Sequence, residues 1–239
     1  LRYADQPLLE AHGFRQTQTA LTSLWMMKEG WQLAYQTPVA GYPWSIPFEF
    51  PFFQSLAALI AAWGNFPLDP VGRLLSFFFL IGCAWPAFSI ARRLELPSDV
   101  AWVFCALLWS SPIYLFWGRT FLMETMAIFF ILAAIPYAID LRPPHPSWRS
   151  VLFYVVLATI ATLQKVTTTA PVILGLALML LGSHLTTSGL RMPPWRQIAC
   201  VTVAFAIPVV VALLWTAYTD LIKEQDPLGA RLSGTALHE

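Results

Sequence analysis

Four runs without a single charged side chain, 74–91, 100–118, 166–183 and 197–219, dictate what this chain can fold into. A helix needs about 20 predominantly apolar residues to cross a bilayer. Helices and closed barrels are the structures that satisfy their own backbone polar groups there. Runs of this length with no short-period alternation argue for helices, and the expected fold is an all-α integral membrane bundle. Composition agrees: 57% of residues are hydrophobic, 11% are charged and mean hydropathy is +0.61, far from the balance of a soluble domain. A net charge of +1 without a basic run excludes a nucleic-acid surface, which needs concentrated cations. Cys83, Cys105 and Cys200 sit singly inside apolar runs, without disulfide or zinc spacing, and read as small packing residues.

Two shorter runs, 125–139 and 150–164, bring the expected spans to six. Pro86, Pro112, Pro136 and Pro208 fall inside spans and predict kinks rather than breaks. Arg92 and Arg93, Arg142 and Arg149, then Arg191 and Arg196 occupy alternate loops, so the positive-inside rule assigns those loops to the cytoplasm. The segment 49–65 is short, contains Gln54 and is bounded by Glu49, Pro51, Gly64, Asn65 and Pro67, which suits an interfacial helix. Residues 1–70 are then a large external loop with juxtamembrane helices, 71–219 the transmembrane bundle, and 220–239 the start of a further external loop. The loop opens with an amphipathic segment, Phe14–Trp31, and reads as a lid. Its aromatics Trp31, Tyr35, Tyr42, Trp44 and Phe48 suit the headgroup layer. The chain opens without Met and ends soon after its last span, so an excerpt of a longer protein is expected.

This topology gathers Glu10, Arg15, Arg73, Arg119, Glu124 and Lys165 on the external side, while the middle of every span stays uncharged. Carboxylates beside arginines at a membrane edge suggest a reaction centre. Each has a plainer reading. Glu10 could cap the helix that follows, Glu124 and Arg119 could form a structural ion pair, and Arg73 could snorkel to headgroups. His12 reads as a hydrogen-bonding neighbour rather than a metal ligand, because no partner stands at metal spacing. Gln16 and Gln18 could be merely polar positions of the loop helix. A transporter or lipid flippase would place polar groups and broken helices near the midplane, and a scaffold would not need the one-sided charge cluster.

The stretches Glu10-Ala-His12-Gly-Phe14-Arg15-Gln16-Thr17-Gln18-Thr19-Ala20, Tyr42-Pro43, Glu49-Phe50-Pro51, Gly72-Arg73-Leu74 and Gly118-Arg119-Thr120-Phe121-Leu122-Met123-Glu124 resemble, in this order, the GT-C membrane glycosyltransferases. The resemblance is to the bacterial branch related to protein O-mannosyltransferases and aminoarabinose transferases, along that family's amino-terminal half. It implies transfer of a sugar from a polyprenyl-phosphate donor to a lipid, polysaccharide or protein acceptor, outside the cytoplasm at a bacterial inner membrane. Glu10 matches the family's catalytic carboxylate, although the usual Asp-Glu or Asp-x-x-Arg form is replaced by Glu10-x-His12-x-x-Arg15, and Glu124 is the second candidate. Arg15, Arg73, Arg119 and Lys165 would hold the donor phosphate, with His12 and Gln16 supporting them. The chemistry asks for this set: cations stabilise the leaving phosphate, and a carboxylate takes the acceptor proton in one inverting displacement. No cofactor is predicted; a divalent metal is left open. The sugar and the acceptor are not legible in these residues.

Overall fold

The structure, a computed structural model, describes residues 12–38, 42, 44–142, 147–188, 195–225 and 227–231. The described residues are mostly helical, in eleven helices: α1 Gly13–Glu29, α2 Phe52–Gly64, α3 Leu68–Gly82, α4 Ala84–Arg93, α5 Ser98–Ser110, α6 Pro112–Trp117, α7 Glu124–Ile139, α8 Trp148–Gln164, α9 Val166–Ser188, α10 Trp195–Lys223 and α11 Pro227–Ala230. The strand pairing among them is minimal. Two-residue strands β1 (Gln36–Thr37) and β2 (Trp44–Ser45) run antiparallel, Gln36 opposite Ser45 and Thr37 opposite Trp44.

Two helical stretches are long and apolar enough to cross a membrane: Leu68–Arg93, which is α3 and α4 counted through their junction, and Ile198–Lys223 within α10, each 26 residues. Among the described residues the apolar stretches of α5, α7 and α8, and Val166–Gly182 of α9, run 10–17 residues. About six spans were expected, two of them short; among the described residues two stretches meet the length criterion. In the Ile198–Lys223 stretch 17% of the apolar window is buried, the reverse of a core helix in a soluble protein, and Val203, Val209, Val210, Leu213 and Leu214 all lie exposed along it. An apolar face of this extent calls for lipid or protein to cover it.

The prolines divide into two kinds. Pro136 and Pro208 lie inside α7 and α10, as expected. Pro112, expected to kink, breaks its helix instead: α5 stops at Ser110, Ser111 is extended with φ −62° and ψ 124°, and α6 starts afresh at Pro112. The proline ring disfavours helical backbone at the residue before it, while its own fixed φ suits a first helical position. Pro86 acts one turn upstream, since its ring would meet the carbonyl four residues back, that of Gly82. The ladder is interrupted there, and Cys83 N–H bonds Leu80 O at 3.3 Å as a tighter turn. The helix expected at 49–65 is α2, which starts late because Pro51 occupies its N-cap position.

The chain forms two compact units that do not follow its linear division. The first holds the described residues up to Phe79, Pro112–Thr125 and those from Leu213; the second holds Leu80–Ser111 and Met126–Ala212. In the second, small residues let helices approach closely. Ala87 and Ala91 of α4 meet Ala101 and Cys105 of α5, and Trp109 Nε1 donates to Leu80 O at 3.0 Å. Ala134, Ala138, Ala158, Ala161 and Ala204 are fully buried around Tyr154, whose ring lies 4.7 Å from that of Phe205.

The first unit has a different interior. Alongside Phe53, Ala57 and Ala61 it buries Gln16, Gln18, Thr19, Thr22, Ser23, Gln54, Arg73, Ser76, Thr120, Glu124 and Thr125. Helix α1 packs on α2 with a polar face inward, while Phe14, Leu24 and Met27 point out. The amphipathic segment expected at Phe14–Trp31 therefore exists with its polarity inverted. Such a helix is stable only if its inward polar groups find partners and its outward apolar groups avoid water.

Candidate active site

The stretch Gly118–Met123, between α6 and α7, runs through the polar interior. It is an irregular stretch, so its backbone groups need partners other than a helical ladder. Two come from neighbouring helices. The Gln16 side-chain carbonyl of α1 accepts the Phe121 N–H at 3.2 Å, and the Ser76 hydroxyl of α3 donates to Leu122 O at 2.8 Å. Apolar contacts fix the same residues. The Phe121 ring meets Phe53 of α2 edge-on at 5.9 Å and lies so close to Gly72 that a Cβ there would sit 2.2 Å from Cδ2 and Cε2. Only glycine at position 72 lets α3 approach, and Arg73 is the next residue. The motif stretches around Gln16, Gly72-Arg73 and Arg119–Glu124, far apart in sequence, thus meet in one unit.

Within this brace Arg73 is 4% exposed and Glu124, in the first turn of α7, is 8% exposed. A carboxylate at a helix N-terminus gains from the macrodipole. Burying either charge costs several kcal/mol unless it is compensated, so both belong to an arranged polar environment rather than to headgroup snorkelling. Gln54 Oε1 and Thr125 Oγ1 in the same unit are buried without a hydrogen-bond partner among the described residues. Buried polar atoms of this kind are what a ligand satisfies on binding.

The other expected residues are placed as follows. Glu10 lies outside the described residues. Arg119 is exposed, its guanidinium 5.8 Å over the Phe116 ring, and so differs in environment from buried Glu124. Arg15 forms a salt bridge with Glu49 and is half-buried. Its charge is met by a protein carboxylate. His12 holds a left-handed backbone, φ 58°, uncommon for a non-glycine residue. Its ring lies 5.8 Å from Phe116 and 5.5 Å from Trp117, so its neighbours are aromatic. Lys165 follows α8 with extended backbone, φ −158°, and belongs to the second unit.

Several residues of the first unit escaped sequence reasoning. Glu49, in sequence a helix boundary and part of a motif, is the partner of Arg15. Tyr35, expected among the headgroups, is 4% exposed: its oxygen accepts the Phe48 N–H at 2.9 Å and donates to Glu49 O at 3.3 Å. Burial pushes its hydroxyl well above the ordinary tyrosine range, so it stays protonated. Trp31, another expected anchor, donates to Ser55 Oγ at 2.8 Å. Lys223 is 6% exposed, 3.4 Å from Asp220 and 5.1 Å over the Phe48 ring, while Trp215 Nε1 donates to Phe48 O at 3.1 Å. Phe48 and Glu49 are thereby held from α1, from Tyr35 and from the end of α10. A lysine closing an apolar helix reads in sequence as an interface anchor, and only the fold turns it inward. Among the described residues no three His, Cys, Asp or Glu side chains come together as metal ligands.

Compared with protein-family models, curated proteins and solved structures, the chain matches none. The resemblance to the GT-C glycosyltransferases rests on the motif residues themselves.

Proposed function

We propose that this chain works in a membrane glycosyltransferase of the GT-C kind, moving a sugar from a polyprenyl-phosphate donor to a lipid, polysaccharide or protein acceptor on the non-cytoplasmic side of a bacterial inner membrane. What supports the reading is one observation: Arg73 and Glu124 are buried in the same polar-lined unit, in a chain whose exposed face is largely apolar. A donor with a long hydrocarbon tail and an anionic head asks for that combination.

In the proposed reaction an acceptor oxygen or nitrogen attacks the anomeric carbon as the bond from that carbon to the phosphate oxygen breaks. The configuration inverts, the lipid phosphate leaves with the bonding pair, and a carboxylate takes the acceptor proton. Glu10 is the first candidate for that base and Glu124 the second. Arg73, with Arg119 at the exposed edge, would stabilise the charge growing on the leaving phosphate. Arg15 is the weaker candidate for this work because Glu49 already meets its charge.

The test is turnover in proteoliposomes: a panel of polyprenyl-phosphate sugars is supplied and released lipid phosphate is followed. Consumption of one donor supports the reading; correctly inserted protein that consumes none of a broad panel overturns it.

A further inference from the structure

The second unit contains a cavity of about 440 Å³ that the proposed transfer does not use. Trp85, Ser89, Arg92 and Arg93 of α4 and Pro136 and Tyr137 of α7 line it. Arg92 and Arg93 stand in the last turn of α4, where the carbonyl dipoles of the helix C-terminus stabilise the two cations and offset part of the positive field they set. Their situations differ. Arg93 is committed: it forms a salt bridge with Asp140, donates to Pro136 O at 2.8 Å and lies 5.6 Å over the Tyr137 ring. Arg92 is exposed and donates to Ser89 Oγ at a long 3.4 Å, leaving most of its five N–H groups for another acceptor. Asp140 offsets one of the two positive charges, so the cavity keeps an excess of about one.

We propose that this cavity binds the phosphate of an anionic phospholipid headgroup, with Arg92 as the anion-holding residue and Arg93 as the fixed wall. A lipid is the source of that phosphate because the cavity wall is itself partly apolar and open: Trp85, which lines it, is 56% exposed. Acyl chains can lie there while the headgroup reaches the arginine. The positive-inside rule assigns this arginine-bearing end to the cytoplasmic leaflet, where anionic lipid is concentrated.

Delipidated full-length protein titrated with phosphatidylglycerol and followed by native mass spectrometry tests this, with phosphatidylcholine and water-soluble glycerol phosphate as parallel arms. The expected result is one saturable phosphatidylglycerol per chain that binds at least about tenfold more weakly to Arg92→Gln, recovers in part in Arg92→Lys, and is not matched by either control ligand. Because Arg92 is exposed, the variants should fold, and unchanged circular dichroism and thermal unfolding check that they do. Equal binding by Arg92→Gln or by phosphatidylcholine overturns the site. Equal binding of glycerol phosphate overturns the lipid as its occupant.

Discussion

Gln16, Gly72 and Ser76 show how single residues create the environment that Arg73 and Glu124 need. None carries a charge, and each holds the same short stretch, Phe121–Leu122, by a different force: an accepted hydrogen bond, a missing side chain and a donated hydrogen bond. Gly72→Ala should force the Phe121 ring away from α3, costing about 1–3 kcal/mol, read as a lowered unfolding temperature. Gln16→Leu should leave the buried Phe121 N–H without its acceptor, again at about 1–3 kcal/mol, and hydrogen exchange at that amide should accelerate. Transfer should be more sensitive still: Arg73→Gln should lower turnover by about a hundredfold or more with the fold retained by circular dichroism. Much of this cluster was legible as motif, since Gly72-Arg73 and Arg119–Glu124 stand out in an apolar chain. The brace was not, because a glutamine on a loop helix, a serine in an apolar span and a phenylalanine look the same in sequence whether or not they meet. Glu49 as the partner of Arg15 and Lys223 as a buried cation depend on chain crossings of 34 and 175 residues, which no local pattern encodes.

Among the elements, the positions of α7, α8, α9 and α10 followed directly from uncharged runs bounded by charge, because a helix that must satisfy its own backbone has no shorter alternative in an apolar setting. The run 100–118 did not translate into one helix. Pro112 divides a run of 19 uncharged residues (100–118) into α5 and α6, with Ser111 extended, and the run's hydropathy gives no sign of it. If the proline alone causes the break, Pro112→Ala should let α5 continue into α6 and add measurable helical ellipticity. Unchanged ellipticity would assign the break to the packing of Gly118–Glu124 instead. Helix α1 is the clearest case of an element that was legible while its buried face was not. Its spacing predicted an amphipathic helix, but a polar interior turned the Gln and Thr face inward and left Phe14, Leu24 and Met27 outside.

For the whole molecule, the two units divide the polar labour. The first buries Arg73, Glu124, Lys223 and the amides of Gln16, Gln18 and Gln54; the second is held by alanines and aromatic rings and carries Arg92 and Arg93 at a helix end. Composition announces a largely apolar chain at once, but the collection of Gln16, Gln54, Arg73, Thr120 and Glu124 in one unit's interior is a property of the fold. That interior is the basis for reading the chain as a machine for an amphipathic phosphate donor. The most direct test follows lipid-phosphate release by the full-length protein in membranes, comparing the parent with Glu10→Gln and Glu124→Gln on the donor that the parent consumes. The account predicts sugar transfer by the parent and loss of it, by about a hundredfold or more, in at least one of the two variants, with insertion unchanged. Turnover equal to the parent's in both, or a parent that consumes no donor, would contradict it.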